Sequence, residues 1–317
     1  MPDALTLRPQ PVVSPLRAAF EAFLLSREAM RCTPKTLEYY RYTVGGFVAT
    51  LESQGIRDVD AITPGHIRAY LVALQRRGAK DTTQHAHARG VKTWLRWLVA
   101  EGDLSADPMQ RVAMPRLERR MPPPFTLDDV KALLAACNRR TPKGSRDYAI
   151  VLVLVDTGLR AAELVSLKVG AIDARSGLCA VMGKGRKARE VRVGARARAA
   201  IIRMMGYRPS AKAGDALWPA FDPQGREQGA LTVSGLQTTL RRLGAKASVH
   251  PSGPHRFRRT FALWCLRDGM DLHSLRLLMG HSDLTVLQRY LALAGEDVER
   301  AHAAHSPADR LRLKGRR

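Results

Sequence analysis

The amino-terminal part of the chain contains three Ser-Pro or Thr-Pro pairs, at Ser14-Pro15, Thr33-Pro34 and Thr63-Pro64. A hydroxyl side chain at the N-cap with proline in the first turn is a strong signal for the start of a helix. Apolar residues recur at intervals of three and four after each pair, and a further segment of this kind follows Asp81 and ends at Gly102. Four amphipathic helices with short connections predict a compact helical bundle.

The helical pattern breaks between Asp107-Pro108 and Pro122-Pro123-Pro124, where a run of charged residues leads into three consecutive prolines. This composition is typical of an extended, semi-rigid connector. A new helix start follows, with Thr126 as its N-cap. Since 317 residues also exceed the usual size of a single domain, we predict two domains joined by this linker.

The second domain contains two short β-prone stretches, Leu178–Met182 and 190–193, which flank a turn at 183–187 and predict a β-hairpin. Most of the remainder has a helical pattern, with breaks rich in Pro and Gly at 206–229 and 248–254. We therefore predict a mainly α protein: an N-terminal four-helix bundle followed by a mixed α domain with a small antiparallel β-sheet.

The chain is strongly basic, with 52 Lys and Arg residues against 29 Asp and Glu residues and a net charge of +23. Such a surplus favours a polyanionic partner, and nucleic acid is the first candidate. An anionic membrane is less suitable, because the longest apolar run, 149–155, falls far short of the roughly 18–20 residues that a span needs. The N-terminus also lacks a signal-peptide pattern, so we expect a soluble, cytoplasmic protein.

Several common chemistries lack their sequence patterns. There is no GxxxxGK[ST] loop for ATP, no CxxC pair among the four scattered cysteines and no carboxylate cluster for two-metal nuclease chemistry. His302 and His305 can share a helix face, but no carboxylate or cysteine lies suitably near them. We therefore predict neither a metal nor a cofactor.

Arg160 follows a glycine turn and starts a helix in which Glu163 comes three residues later. The carboxylate can brace the guanidinium and fix a fork that suits phosphate oxygens. The alternative is an ordinary surface ion pair between residues i and i+3.

Lys184 lies between two glycines, where the backbone can approach a DNA strand closely. Its ammonium could act as a general acid toward a leaving oxygen, and the alternative is a basic turn that only touches phosphates. Arg186, Lys187 and Arg189 follow in the same basic segment and are predicted DNA contacts.

The run from His255 to Arg259 predicts a basic helix in which His255 and Arg258 share a face and can address one phosphate, with Phe257 turned to the core. Arg256 and Arg259 are predicted DNA contacts. The alternative is a basic helix face with one solvated histidine.

Tyr290 follows His281 by nine residues. A phenol with its ordinary pKa of about 10 is a poor nucleophile at neutral pH and needs clustered cations to stabilise the phenolate and the transition state. Taken singly, Tyr290 is a partly buried helix tyrosine and His281 a structural histidine. Together with the upstream cations, they fit metal-free phosphoryl transfer on DNA.

These residues, in this order, resemble the signature of the tyrosine recombinases of the phage-integrase type, including Xer-like and mobile-element integrases. The match consists of five boxes, namely 157–164, 183–187, 254–258, 278–281 and Tyr290. The chain departs from many members at Phe257 and Arg259, where leucine and a second histidine are common. Neither departure replaces a catalytic group.

The resemblance extends over nearly the whole chain and implies its division. The implied parts are an N-terminal tail at 1–13, a SAM-like core-binding domain at 14–112, a proline-rich linker at 113–124 and a catalytic domain at 125–317 with a C-terminal tail at 296–317. The tail would dock on a neighbouring protomer, or else pack on its own domain.

The resemblance also implies a mechanism without ATP or metal. Tyr290 would attack the scissile phosphate and form a 3′-phosphotyrosyl link. The remaining roles would fall to Arg160 and Arg258 on the non-bridging oxygens, His255 and His281 in hydrogen bonding or proton transfer, and Lys184 as the acid for the departing 5′-oxygen.

The DNA partner implied is a specific site in double-stranded DNA. The protein would assemble on it as a homotetramer or together with a paired homologous recombinase. The location implied is the bacterial cytoplasm, at the nucleoid. The C-terminal ending favours integration, excision or transposition of a mobile element, and Xer-type resolution of chromosome or plasmid dimers is the alternative. A type IB topoisomerase and a non-catalytic DNA-binding protein are further alternatives.

Overall fold

The computed structural model describes residues 13–117, 123–182 and 188–280. The chain divides into two compact units, Met1–Arg120 and Met121–Arg317. No helix in the described ranges is both long enough and apolar enough to cross a membrane.

The described part of the first unit is helical throughout. Its elements are α1 (Pro15–Ala29), α2 (Pro34–Ser53), α3 (Pro64–Arg76), α4 (Asp81–Glu101) and a short 3-10 helix at Pro108–Arg111. As predicted, the side chains of Ser14, Thr33 and Thr63 accept hydrogen bonds from backbone N–H groups at the starts of α1, α2 and α3. These caps satisfy donors that a helix N-terminus leaves without intrahelical partners.

The ends of α4 differ in how well the sequence predicts them. Asp81 lies within the first turn rather than before it, and Lys80 occupies the N-cap without a side-chain hydrogen bond. An acidic residue in the first turn is still favourable beside the positive end of the helix dipole. At the other end Gly102 closes the helix in the left-handed conformation, with φ of 88°, as predicted.

Aromatic side chains fill the core of the first unit where α1, α2 and α4 meet. Trp94 is completely buried and makes edge contacts with Phe20 and Phe47, at ring-centroid distances of 6.3 and 6.4 Å. Between α3 and α4, the Tyr70 hydroxyl lies 2.7 Å from Nδ1 of His87, and both side chains are buried. The bundle therefore encloses this polar pair beside its apolar core.

The second unit surrounds a central helix. Its described elements are α5 (Leu127–Ala135), α6 (Pro142–Thr157), α7 (Ala161–Ser166), β1 (Leu178–Met182), β2 (Ala188–Arg192), α8 (Ala195–Met205), β3 (Pro219–Phe221), β4 (Glu227–Ala230), α9 (Val233–Ala247), α10 (Pro254–Arg267) and α11 (Leu272–Met279). Helix α6 packs against α8 and α10, and Ile150, Val151 and Leu154 on it are completely buried. Thr126 caps α5, as predicted.

The described sheet structure consists of two antiparallel hairpins in a mainly helical molecule. Strand β1 is the predicted one, whereas β2 starts at Ala188 instead of 190, because Met182 pairs with Ala188 and extends the ladder toward the turn. The pair β3 and β4 was not predicted. It lies in the segment interpreted as a break, and because β4 is exposed along its whole length it lacks the alternation that indicates a half-buried strand.

Candidate active site

Glu163 braces the start of α7, as the sequence predicts. Its Oε2 accepts a hydrogen bond of 2.8 Å from the backbone N–H of Arg160, and its Oε1 accepts another of 2.8 Å from Nη1 of that residue. The Glu163 side chain is only 5% exposed, whereas that of Arg160 is 35% exposed. The pair is therefore not the ordinary surface ion pair that stood as the alternative.

A second guanidinium, from Arg189 on β2, holds the same carboxylate. Nη1 of Arg189 donates to Oε1 of Glu163 at 2.8 Å, and Nη2 donates to Oε2 at 2.9 Å, which is a two-point fork. Burial raises the pKa of Glu163, but the hydrogen bonds from Arg189 and Arg160 outweigh it and bring the pKa down to about 2. Glu163 is therefore ionised at neutral pH, and two cations share its charge.

Three arginines from separate parts of the unit converge on the last carbonyls of α11. A helix leaves its final carbonyl groups without intrahelical partners and carries a partial negative charge there. The three bonds run from Arg189 Nε to Leu278 O at 3.2 Å, from Arg258 Nη2 to Met279 O at 2.6 Å and from Arg160 Nη2 to Gly280 O at 3.0 Å. We call these three carbonyls the α11 end, and His281 follows it directly in the sequence.

Arg258 links the α11 end to the end of α6. It projects from α10, is 5% exposed, and donates from Nη1 to the carbonyl of Gly158 at 2.6 Å. Gly158 closes α6 in the left-handed conformation, and a Cβ there would lie 2.4 Å from the ring of Phe261. Only glycine fits this position, because any side chain would meet both backbone strain and the ring.

His255 lies near the start of α10, directly after Pro254, and its side chain is exposed. Arg258 comes three residues later on the same helix and is buried. The predicted joint action of His255 and Arg258 on one phosphate stays a prediction.

Arg256 makes its described contacts inside the second unit, and its predicted DNA contact stays a prediction. Its guanidinium stacks 4.1 Å from the Phe125 ring centroid and pairs with Asp129 at 3.1 Å. It also donates to the carbonyls of Pro123, Pro124, His250 and Pro251. Because these partners surround the side chain and leave it 9% exposed, Arg256 ties the start of the second unit to α10.

Arg189 is likewise committed inside the unit, since its side chain is 14% exposed and all three of its guanidinium nitrogens donate to Glu163 or Leu278. Its predicted DNA contact stays a prediction. Arg259 is half-buried, and its DNA contact stays a prediction. Five further predicted residues, Lys184, Arg186, Lys187, His281 and Tyr290, and the tail at 296–317 lie outside the described residues.

The interior role of Arg189 was missed because its partner Glu163 is 26 residues away, and the basic segment around Arg189 indicated DNA contact. The one signal that could have indicated it is the alternation of β2, where Arg189 pairs with buried Val181 across the ladder. Gly280 was also missed as a functional position. Its φ is 60°, and a Cβ there would lie 3.0 Å from Cδ and Nε of Arg189.

The fold of the chain is that of known DNA integrases. The structure of a lambda integrase dimer bound to a COC′ core site matches with a TM-score of 0.70 at 15% identity, covering 87% of this chain and 76% of that one. The Tn1549 transposon integrase in complex with circular intermediate DNA matches with a TM-score of 0.68 at 18% identity, covering 87% of this chain and 95% of that one. At these identities, the likeness establishes the architecture.

Sequence comparison establishes the family. Residues 124–296 match the Phage integrase family, and residues 18–102 match its N-terminal SAM-like domain. Tyrosine recombinase XerD of Pseudomonas aeruginosa is 32% identical over 86% of this chain and 91% of its own length. Tyrosine recombinase XerC of Xylella fastidiosa is 29% identical over 94% of this chain and 98% of its own length. The chain belongs to the phage integrase family and is a tyrosine recombinase, an enzyme that cleaves and rejoins DNA strands.

Proposed function

We propose that the protein is a site-specific DNA recombinase that cuts one strand through Tyr290 and rejoins it to another. The observation that carries the proposal is the convergence of Arg160 and Arg258 on the α11 end. Two guanidiniums from distant parts of the chain thereby lie beside the point from which the sequence continues to His281 and then Tyr290.

The proposed chemistry follows from the charges of this site. In-line attack of the Tyr290 oxygen on a phosphodiester places extra negative charge on the two non-bridging oxygens. Arg160 and Arg258 stabilise that charge, since fixed donors act without reorganising during the reaction. In this proposal His255 and His281 add hydrogen bonds or transfer protons, and Lys184 gives a proton to the departing 5′-oxygen. The phosphotyrosyl bond conserves the energy of the broken bond, so religation requires no ATP.

Double-stranded DNA is the proposed substrate, and a tetramer on two sites is the proposed assembly. The net charge of +23 supports a polyanionic partner. The similar integrases of lambda and Tn1549 are bound to DNA in their structures, which supports the same partner here. In the assembly that we propose, Tyr290 of one protomer cleaves one strand, and successive exchanges pass through a four-way junction.

Two biological roles fit this chemistry. The C-terminal ending favours integration, excision or transposition of a mobile element. The relatives named XerC and XerD, at 29% and 32% identity along nearly their whole length, favour resolution of chromosome or plasmid dimers. The same recombinase activity would serve either role. The DNA site that the protein recognises distinguishes them, because the mobile-element role predicts a site at the borders of an inserted element.

The test is covalent capture. A library of nicked duplexes with randomised arms is incubated with the protein, adducts are separated under denaturing conditions, and the attached DNA is sequenced. We expect one family of sites from the wild type and no adduct from Tyr290→Phe.

Tyr207→Phe is the matched control, since Tyr207 is a partly exposed tyrosine of the same unit whose hydroxyl donates to the Arg139 carbonyl. It should form adducts as the wild type does. Undiminished adducts from Tyr290→Phe would refute the mechanism. Steady relaxation of supercoiled plasmid that lacks the recovered site would favour the topoisomerase alternative instead.

A further inference from the structure

Glu163 creates an electrostatic difficulty for the site. Its carboxylate lies 2.8 Å from Nη1 of Arg160, the guanidinium that the proposed function assigns to the scissile phosphate. A full negative charge at that distance neutralises a guanidinium as seen from a nearby anion. A site with these two groups alone would therefore present almost no net charge to a phosphodiester.

Arg189 removes this difficulty. Its two-point fork on Glu163, at 2.8 and 2.9 Å, adds a second positive charge, so that two guanidiniums and one carboxylate leave a net charge of +1. The exposure of the side chains is unequal, at 14% for Arg189 and 35% for Arg160. The residual positive charge therefore faces outward from Arg160.

The geometry explains why arginine occupies this position. Both terminal nitrogens of Arg189 bind Glu163, and Nε donates in a third direction to the Leu278 carbonyl at the α11 end. Gly280 lies against the same guanidinium, since a Cβ there would come within 3.1 Å of Cζ of Arg189. A lysine would supply the charge from a single point and could not match all of these partners.

We propose that Arg189 is a positioning residue that balances the charge of Glu163 and thereby lets Arg160 present a full positive charge to the scissile phosphate. The inference rests on the proposed function, in which Arg160 binds that phosphate. Arg189 itself touches no reacting atom in this scheme and acts through Arg160.

The test compares two cleavage substrates that carry the recovered site. One has the natural phosphate at the scissile position, and the other has a methylphosphonate, which lacks the negative charge. Arg189→Met should slow cleavage of the phosphate substrate on the order of tenfold to a hundredfold, somewhat less than the loss of a donor that touches the reacting oxygen. It should change cleavage of the neutral methylphosphonate much less, so the ratio of the two rates falls at least tenfold.

Two further variants separate charge from shape. Arg189→Lys keeps the charge and loses the fork, so the ratio of the two rates should stay near that of the wild type. In the double variant Arg189→Met with Glu163→Gln both buried charges are gone. Cleavage of the natural phosphate should then recover relative to Arg189→Met alone.

Arg208→Met is the matched control. Arg208 also makes a two-point fork on a carboxylate, from Nε and Nη2 to Glu227 at 2.9 and 2.7 Å elsewhere in the unit, and its side chain is 10% exposed. This variant should leave the ratio of rates unchanged. Equal slowing of both substrates by Arg189→Met, or no recovery in the double variant, would overturn the charge-balancing role. Failure of the proposed function itself would be distinguishable, because wild-type protein would then form no Tyr290-dependent adduct on either substrate.

Discussion

At the scale of single residues, the site depends on the carboxylate of Glu163, which contacts no DNA in the proposed reaction. Glu163 accepts two hydrogen bonds from Arg160 and two more from Arg189. These four bonds use the whole acceptor capacity of the Glu163 carboxylate. Such a buried, fully satisfied group has a large effect on stability when one partner is removed, because an uncompensated charge remains.

We therefore predict that Glu163→Gln lowers the free energy of unfolding at pH 7 by about 3 kcal/mol. The pKa of Glu163 in the folded protein is about 2, against an ordinary value of 4.5, so the carboxylate stabilises the fold above pH 4.5 and loses this effect as the pH falls toward 2. The difference in the free energy of unfolding between Glu163→Gln and the wild type should accordingly be smaller in acid. Urea titrations of both proteins at pH 7 and pH 3 measure this difference.

The exposed carboxylate Glu190 on β2 provides the control for that titration. Glu190→Gln should change the free energy of unfolding by no more than about 0.5 kcal/mol at either pH. A difference for Glu163→Gln that stays constant from pH 7 to pH 3 would contradict the assignment of the acid sensitivity to Glu163.

The sequence predicts residue contacts well when they are local. The brace of Glu163 on Arg160 follows from a spacing of three on one helix, and the structure confirms it. The burial of Arg256 was not predicted, because it depends on Phe125 and Asp129, which lie more than a hundred residues away in the sequence. A basic residue next to signature residues gives no indication, by itself, of whether it faces DNA or the interior.

At the scale of secondary-structure elements, the α11 end organises the site. Arginines from the start of α7, from β2 and from α10 each donate to one of its carbonyls. The attachment fixes the carboxyl end of α11, which His281 follows directly in the sequence. Rigid support of this kind holds catalytic groups in a productive geometry.

Gly280→Ala tests this attachment. The residue has φ of 60°, and its new Cβ would lie 3.0 Å from Arg189, so we expect a loss of about 1 kcal/mol in stability and a loss of at least tenfold in the rate of adduct formation. Stopped cleavage assays on the nicked substrate measure the rate.

Gly269→Ala is matched to it, because Gly269 follows α10 with φ of 87° and a Cβ there would meet no atom within 4 Å. This control should lose similar stability and keep its cleavage rate. Equal rates for the two variants would argue against a role for the α11 end in positioning.

The contact between α3 and α4 predicts a pH effect in the first unit. Burial lowers the pKa of His87, whose Nδ1 lies 2.7 Å from the Tyr70 hydroxyl. Because folding lowers the pKa of His87, the unfolded chain takes up a proton on this histidine more readily than the folded protein does. The free energy of unfolding should therefore fall as the pH drops below 6.5. Hydrogen exchange of peptides from α4 should speed up between pH 7 and pH 5, after correction for intrinsic rates.

In His87→Gln this acceleration should disappear, because the amide can bind the Tyr70 hydroxyl and does not titrate. His66→Gln is the control variant and should keep the acceleration in acid. His66 lies in the same unit and accepts a local hydrogen bond from the backbone N–H of Thr63 at the start of α3. An undiminished acid effect in His87→Gln would show that another group is responsible.

Elements were predictable from the sequence where a local signal decided them. Hydroxyl caps followed by proline located α1, α2 and α3, because the capping hydrogen bonds form within one turn. Strands β3 and β4 were missed, since their pairing spans a turn at Asp222-Gly225 and their side chains carry no alternating pattern. Pairing between separate segments is decided by tertiary contacts, which local composition does not encode.

At the scale of the whole molecule, charge determines how the protein finds DNA. The net charge of +23 is carried by a chain of two compact units. Cations that neutralise phosphates release condensed counterions, so binding to any duplex weakens steeply as salt is added. Recognition of one site adds contacts to base edges, which depend less on salt.

We predict that affinity for a random duplex falls on the order of a thousandfold between about 50 and 200 mM NaCl, with a linear plot of log affinity against log salt. Binding to the recovered site should have a shallower slope, because part of its free energy comes from base contacts. Fluorescence anisotropy with Tyr290→Phe measures both without covalent capture. Glycine betaine at matched osmolality should leave both affinities unchanged, since it releases no counterions. Equal slopes for the two duplexes would mean that phosphate contacts alone hold the protein on its site.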